Sequence, residues 1–447
     1  MKKVLIANRG EIAVRIIRAC HQEGFSTVAI YSTVDADSLH VSMADESVCI
    51  GSHVLSDSYL NMERIISAAI TTGADAIHPG YGFLSENDEF ASLCEKCGIE
   101  FIGPKSETIT LMGNKANARE AAIKSGVPVV LGSAGIINDF NHLQEEVKKI
   151  GYPILIKATH GGGGRGMRIV HSEENLEQSF NTCVSEATSA FGNGDVYVEQ
   201  FVLNPKHIEV QILADKYGNV ITVGERDCSM QRRNQKVVEE TPCKTLSDKT
   251  RERLFSVSAN LAKEIGYVGA GTIEYIMDEN ENFYFIEMNT RIQVEHPISE
   301  EVSGLDLVAW QVLIAAGQEL NITQENVELS NHSIECRVTC EDITRNFMPV
   351  PDTIKYLHIP GGNGIRIDTF VYQGYTVSKY YDSMILKIIA TGKTREESIN
   401  RMKQALCELV IEPLPTNVEF LYKILENDTF VDGTYHTKTL EELMNNG

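Results

Sequence analysis

The chain has 447 residues, too many for one ordinary hydrophobic core, so two or three domains are expected. Its 43% hydrophobic and 23% charged content describe a water-soluble globular protein, and no run approaches the roughly eighteen apolar residues of a membrane span. A formal net charge of −22 disfavours nucleic acid and anionic membrane as main partners, because such a surface repels both.

The opening MKKVLIANRGEIAV is too briefly apolar for a signal peptide, and ten cysteines without regular spacing suggest reduced thiols, so a cytoplasmic location is expected. Residues 4–7 (VLIA) read as a short buried strand. Between Glu11 and Glu23, Ile12, Ile16, Ile17 and Cys20 share one helical face, and Gly24 stops the helix. Thr27–Tyr31, Ala74–His78 and Glu100–Gly103 read as further strands, so residues 1–113 are predicted to form one open parallel-sheet unit. No GxGxxG follows the first strand, which removes the usual support for a dinucleotide site. Cys94 and Cys97 make a C-x-x-C before Gly98; a single pair lacks the four ligands of a structural zinc site and is read as incidental.

Residues 114–200 alternate helical and strand patterns around GGGGRGMR (161–168). Glycine runs let backbone N–H groups close on phosphate oxygens, although no GK[ST] makes this a Walker A loop, and a surface turn would also read this way. Lys157 in the preceding ILIKAT and Lys115 in MGNKANAR supply point charges suited to a polyphosphate. From 196 to 295 the pattern is mainly strands. HIEVQIL alternates, with Ile208, Val210 and Ile212 on one side and His207, Glu209 and Gln211 on the other. In RDCSMQRRNQK, Arg226, Arg232, Arg233 and Lys236 read as the wall of an anion pocket, since the acidic whole disfavours a nucleic-acid patch.

The sharpest chemical signal is GTIEYIMDENENFYFIEMNTRIQVEHP. Thr272–Met277 and Phe283–Asn289 read as a hairpin, and a four-residue loop at 279–282 would set Glu274 directly opposite Glu287. Cross-strand partners hold their Cβ atoms roughly 5 Å apart, so two carboxylates there call for a cation between them, and Mg²⁺ suits that donor set. Continued extension would keep Glu287, Asn289, Arg291, Gln293 and Glu295 on one face as metal ligands, cation clamp and candidate base. A solvated edge strand is the plainer alternative. After a helical stretch at Leu305–Ala316, residues 331–447 carry strands and a helix from Arg395 to Leu409.

Taken together, IANRGEIAVRIIRAC, IHPGYGFLSEN, FIGP, GGGGRGMR, ERDCSMQRRNQK, GAGTIEY, FIEMNTRIQVEHP, IECR and YYDSMI resemble the biotin carboxylase family of the ATP-grasp superfamily, through essentially the whole chain. The resemblance implies an α/β and α+β protein of three domains. These are an open parallel-sheet N-terminal domain (1–113), an ATP-grasp domain (114–330) with a glycine-rich lid at about 131–203, and an α+β C-terminal domain (331–447). It implies ATP contacts at Lys115, Lys157, Gly163, Gly164, Met167, Glu199, Gln200, Val202, His207, Asn234, Glu274 and Glu287, and Mg²⁺ or Mn²⁺ ligands at Glu274, Glu287 and Asn289. Lys236, Arg291, Gln293, Val294 and Glu295 would bind bicarbonate, with Glu295 as base, and Arg337 would face biotin. Asn234 stands where the family often has histidine, and His160 replaces a glycine at the start of the glycine tract.

The implied activity is ATP-dependent carboxylation of biotin through carboxyphosphate, the first half-reaction of acetyl-CoA carboxylase in fatty acid biosynthesis. No Met-Lys-Met biotinylation motif occurs, so a separate biotin carboxyl carrier protein is expected, with carboxyltransferase subunits after it and a homodimer as the family's usual state. Other ATP-grasp ligases, such as a carbamoyl-phosphate synthase or a peptide-type ligase, share the magnesium hairpin; Arg337 in IECR and HPGYGFLSEN set this chain apart. A non-catalytic nucleotide-binding subunit is the alternative from another class, and intact Glu274, Glu287, Arg291 and Glu295 argue against it.

Overall fold

The computed structural model describes residues 1–133, 135–158, 167–191 and 193–446. Gly163, Gly164 and His160 lie outside the described residues. Two compact units emerge: Met1–Val127, Lys206–Tyr275 and Ile286–Gly447 form the first, and Pro128–Pro205 with Ile276–Phe285 the second.

The first unit opens with a sheet of strands β1 (Lys3–Ile6), β2 (Ser26–Ser32), β3 (Glu46–Gly51), β4 (Ala76–His78) and β5 (Glu100–Phe101), in the order β3-β2-β1-β4-β5. All its pairings are parallel, as expected from the sequence. A parallel sheet must be covered on both faces, and β1 demonstrates it. Val4 and Ile6 enter one hydrophobic cluster with Ile12 and Ile16, whereas Leu5 enters another with Val28 and Phe90. The first helix runs Gly10–Gln22 and buries its apolar face, but Glu11 and Arg15 are buried too. Arg15 is held by Glu300 at 2.9 Å and Asp306 at 2.5 Å, so this helix is enclosed on its polar side as well.

The second unit contains a three-stranded antiparallel sheet of β6 (Ile154–Ala158), β7 (Met167–Val170) and β8 (Val196–Gln200), ordered β7-β6-β8. Ile154, Ile156, Val170, Val196 and Val198 share its core with Leu143 and Val147 from the helix Phe140–Ile150.

From Lys206 the chain lays down β9 (Lys206–Ala214), β10 (Val220–Arg232), β11 (Gln235–Thr241), β12 (Gly269–Met277), β13 (Phe283–Asn289) and β14 (His332–Thr339). The short β15 (Glu341–Asp342) and β16 (Met348–Pro349) pair with each other, and β17 (Tyr356–His358) pairs with the later β20 (Val410–Glu412). With β18 (Ile365–Thr369) and β19 (Met384–Gly392) the long strands make one eight-stranded sheet, ordered β13-β12-β9-β10-β11-β14-β19-β18. The turn from β10 to β11 is just Arg233 and Asn234, with φ of 52° and 62°. Two successive left-handed residues make the hairpin turn that matches strand twist, and asparagine tolerates that conformation well.

One element differs from expectation. Asp248–Glu264 is a 17-residue helix inside the stretch read as mainly strands. Its buried positions are Leu254, Ser258, Leu261 and Ala262, so a serine and an alanine dilute the apolar period that would have revealed it.

Candidate active site

The polar side of β9 is not a solvated face. Glu209 and Gln211 are fully buried, and both bind Arg226 from β10, at 2.5 Å and 2.7 Å. Arg226 also donates to Ser299 (3.0 Å), Thr272 (3.1 Å) and Gln293 (2.7 Å). It is completely enclosed, which corrects its expected place on a pocket wall. A five-donor guanidinium whose donors all find acceptors is stable in the interior and has none left for a ligand.

Lys236, the second residue of β11, does reach a cavity. This cavity, of about 920 Å³, is lined in part by His207, Lys236, Glu274, Glu287, Arg291, Glu295 and Arg337. The Lys236 ammonium contacts Glu209 Oε2 at 2.6 Å, Glu295 Oε1 at 2.6 Å and Glu274 Oε1 at 3.0 Å. Burial alone would lower its pKa, yet Glu209 and Glu295 outweigh this and hold it well above its ordinary value. Arg337 on β14 bridges Glu239 on β11 (Nε to Oε1, 2.6 Å) and Glu295 (2.9 Å). Burial would raise the Glu295 carboxyl, but Lys236, Arg337 and Arg226 override it and keep Glu295 an anion.

The segment after β13 corrects a second expectation. The strand ends at Asn289 instead of running extended to Glu295. The chain turns there because Glu86 accepts from the Thr290 N–H (3.1 Å) and from Arg291 Nε (2.8 Å). Glu295, at φ −83° and ψ 12°, is the cap residue of the helix His296–Ser303. The residues still converge: Arg291 donates to Asn289 Oδ1 (2.8 Å), and Asn289 and Gln293 donate to Glu274 Oε1 at 2.9 Å and 2.7 Å. The Val294 carbonyl accepts from Lys387 on β19 at 2.5 Å. Glu86 and Lys387 were not foreseen as site residues, although Glu86 stands inside the HPGYGFLSEN motif.

The β12–β13 turn is also shorter than assumed. Asp278 N–H donates to the Asn282 carbonyl at 3.0 Å, and Glu281 has φ 60°, giving a three-residue loop with a left-handed last residue. The direct opposition of Glu274 and Glu287 inferred from a four-residue loop therefore does not follow from this turn. Both carboxylates nonetheless line the cavity. Burial and the charge of Glu274 raise the Glu287 pKa, while Lys115 and His207 oppose the rise.

These groups fit a hard divalent cation. Near Glu209 and Glu295, Lys236 already supplies the positive charge. Glu287 has no ion pair among the described residues, and its neighbour Glu274 repels it, so a cation held by Glu274, Glu287 and the Asn289 amide would relieve that strain.

His207 Nε2 lies 3.1 Å from Glu274 Oε2, and Asn234 lines the cavity from the β10–β11 turn. Lys115 begins the helix Lys115–Lys124 and is exposed. The remaining expected nucleotide contacts belong to the second unit. There Lys157 on β6 forms an ion pair with Glu199 on the adjacent β8, Gln200 N–H donates to the Leu131 carbonyl at 2.7 Å, Val202 is half-buried, and Met167 on β7 is exposed.

An open parallel sheet followed by an antiparallel sheet with converging carboxylates, lysine and arginine is the architecture of an ATP-grasp ligase. Residues 1–109 match the biotin carboxylase N-terminal domain, 114–323 the ATP-binding domain of the carbamoyl-phosphate synthase L chain, and 335–442 the biotin carboxylase C-terminal domain. The chain is 52% identical to biotin carboxylase 1 of Bacillus subtilis over 442 residues, 99% of this chain and 98% of that protein. It is 51% identical to the 2-oxoglutarate carboxylase small subunit of Hydrogenobacter thermophilus, covering 99% of this chain and 93% of that one. The crystal structure of the latter organism's 2-oxoglutarate carboxylase biotin carboxylase domain dimer, in complex with MgADP, ADP and bicarbonate, superposes with a TM-score of 0.89 at 50% identity, covering 99% and 97% of the two chains. The chain belongs to the biotin carboxylase family, which are ATP-dependent ligases.

Proposed function

We propose that this chain uses ATP to activate bicarbonate as carboxyphosphate and carboxylates biotin borne on a separate biotin carboxyl carrier protein. The observation that carries the reading is the bracketing of Glu295 by Lys236 and Arg337 on a cavity that also presents Glu274, Glu287 and Arg291. Glu295 held by two cations is an anion but a weak base. Bicarbonate arriving at Lys236, Arg291, Gln293 and Val294 competes for Lys236, and a Glu295 released from it gains the basicity to take the bicarbonate proton. The same proton uptake cancels the charge that holds Arg337, whose guanidinium then faces the biotin ureido oxygen as it gains negative charge. Lys115, Lys157, Met167, Glu199, Gln200, Val202, His207 and Asn234 are the proposed nucleotide contacts, with Gly163 and Gly164. Mg²⁺ or Mn²⁺ at Glu274, Glu287 and Asn289 would neutralise the phosphate oxygens.

The division at about 113 and 330 into N-terminal, ATP-grasp and C-terminal domains is part of this proposal, as are a homodimeric state and a cytoplasmic location. Among the described residues no helix is long and apolar enough to cross a membrane. We place the chain in an acetyl-CoA carboxylase serving fatty acid biosynthesis, its carboxybiotin passing to carboxyltransferase subunits. Similarity to a 2-oxoglutarate carboxylase small subunit makes a 2-oxo acid the competing final acceptor. The deciding experiment is phosphate release with free biotin, with and without bicarbonate. Turnover that depends on bicarbonate and yields carboxybiotin is expected, and bicarbonate-independent turnover removes the reading.

A further inference from the structure

Glu335 on β14 is completely buried, and neither of its side-chain oxygens has a hydrogen-bond partner among the described residues. Directly opposite it in the antiparallel register stands Glu239 on β11, equally buried. Glu239 Oε1 accepts from Arg337, while its Oε2 also lacks a partner among the described residues. Residues opposite each other on one sheet face hold their Cβ atoms roughly 5 Å apart. The charged and titratable groups around Glu335 are Glu239 from β11, Arg337 and Cys336 from its own strand, Lys387 from β19, Glu295 from the segment before the helix His296–Ser303, and Tyr81. None of the cations is spare. Arg337 is taken by Glu239 and Glu295, and Lys387 lies 3.2 Å from Glu11 and donates to the Val294 carbonyl.

Two buried carboxylates facing each other across strands strongly resist ionising together. Three orphaned oxygens in one place are a heavy penalty, and a single hydrogen between the pair relieves it.

We propose that Glu335 is a resident neutral carboxylic acid that donates its hydrogen to Glu239, fixing the Glu239 carboxylate beneath Arg337. Glu335 is thus a positioning residue: it touches no substrate and acts through Glu239 on the guanidinium. Only this last consequence rests on the reading of Arg337 as the biotin-facing group. Burial pushes Glu335 well above the ordinary carboxyl range, with Glu239 adding to the rise, and burial carries Glu239 up to about 7. A proton kept in the folded state and released by the unfolded chain makes stability fall as pH rises above about 4.5.

The test uses the full chain and three variants, Glu335→Gln, Glu335→Ala and Arg337→Gln. Infrared difference spectra of wild type against Glu335→Gln at pH 8 should contain the carbonyl stretch of a neutral acid, lost in the variant. The glutamine amide keeps an N–H donor toward Glu239, so Glu335→Gln should form carboxybiotin about tenfold or more faster than Glu335→Ala. It should also lose less melting temperature than wild type between about pH 6 and 9. Should Glu335→Ala not fold, the spectrum and the pH dependence still decide. Absence of the acid band, or a folded Glu335→Gln as impaired as the alanine variant, overturns the proposal. An acid band together with normal carboxylation by Arg337→Gln supports the neutral acid and counts against the biotin-facing role of Arg337.

Discussion

Arg226 and Arg337 are guanidiniums on one sheet, each set against buried glutamates, and they differ in what lies on their open side. Arg226 has a side-chain exposure of 0% and makes five hydrogen bonds to Glu209, Gln211, Ser299, Thr272 and Gln293. Arg337 retains 17% exposure, binds only Glu239 and Glu295 with its side chain among the described residues, and borders the cavity. The closed centre can give up no contact without leaving a buried guanidinium donor unsatisfied. The open one can exchange a glutamate for a ligand, because the cavity supplies the replacement. Charge and burial alone therefore do not separate structure from chemistry; the presence of an exchange partner does.

Replacing the closed centre should be the costliest change. Arg226→Leu removes the guanidinium from Glu209, which keeps Lys236, and from the buried Gln211, Thr272, Gln293 and Ser299, and should lower unfolding free energy by about 3–5 kcal/mol, read by denaturant titration. A second closed centre should follow with roughly 3 kcal/mol, the worth of a carboxyl held down to about 2 from 4.5. Burial would raise the Glu240 carboxyl, but His332 (3.2 Å) and Arg395 (2.7 Å) override it, and Tyr435 also donates to it at 2.6 Å. Its contribution is present above the ordinary carboxyl range and is lost as pH falls toward 2, so Glu240→Gln should match wild type there and differ most at neutral pH.

At the open centre the loss should appear in chemistry. Glu295→Gln should cut bicarbonate-dependent ATP cleavage about a hundredfold or more. Arg337→Gln should cut carboxybiotin formation by about a hundredfold, just under 3 kcal/mol, while sparing much of the slow ATP cleavage. Equal losses in both activities with a lowered melting temperature would move Arg337 into the closed class. The smallest effect is expected at Cys94 and Cys97, one buried and one exposed, neither in a disulfide. Cys94→Ser/Cys97→Ser should cost about 1 kcal/mol of stability from the buried hydroxyl and leave activity intact; zinc in the purified protein would contradict it.

The parallel opening sheet was legible because VLIA and its helix follow simple apolar periods. Glu274, Asn289, Arg291, Gln293 and Glu295 were legible as a set, although a turn at Thr290, and not continuous extension, gathers them. What stayed hidden was polar and buried. Glu209, Glu239 and Glu335 look like the wet side of alternating strands, and only the folded packing on that face shows that it is buried. The helix Asp248–Glu264 hid for a related reason, its buried face carrying Ser258. Lys387 is separated by 93 positions from the carbonyl it binds, a pairing no local pattern can announce.

The continuity of the eight-stranded sheet has a consequence for how the polypeptide could be divided. Residues 328–331, just before β14, are exposed, with Ser330 N–H donating to the Val302 carbonyl at 2.8 Å, while β11 and β14 zip together through Val238–Cys336, Glu239–Glu335, Glu240–Ile334 and Thr241–Ser333. A protease nick in that connector would break the covalent thread and leave the two pieces clasped by main-chain bonds and a shared apolar core containing Val14, Val238, Ile334 and Ile388. Expressed as two halves, the polypeptide should reassemble by fragment complementation, with β14 as the docking strand.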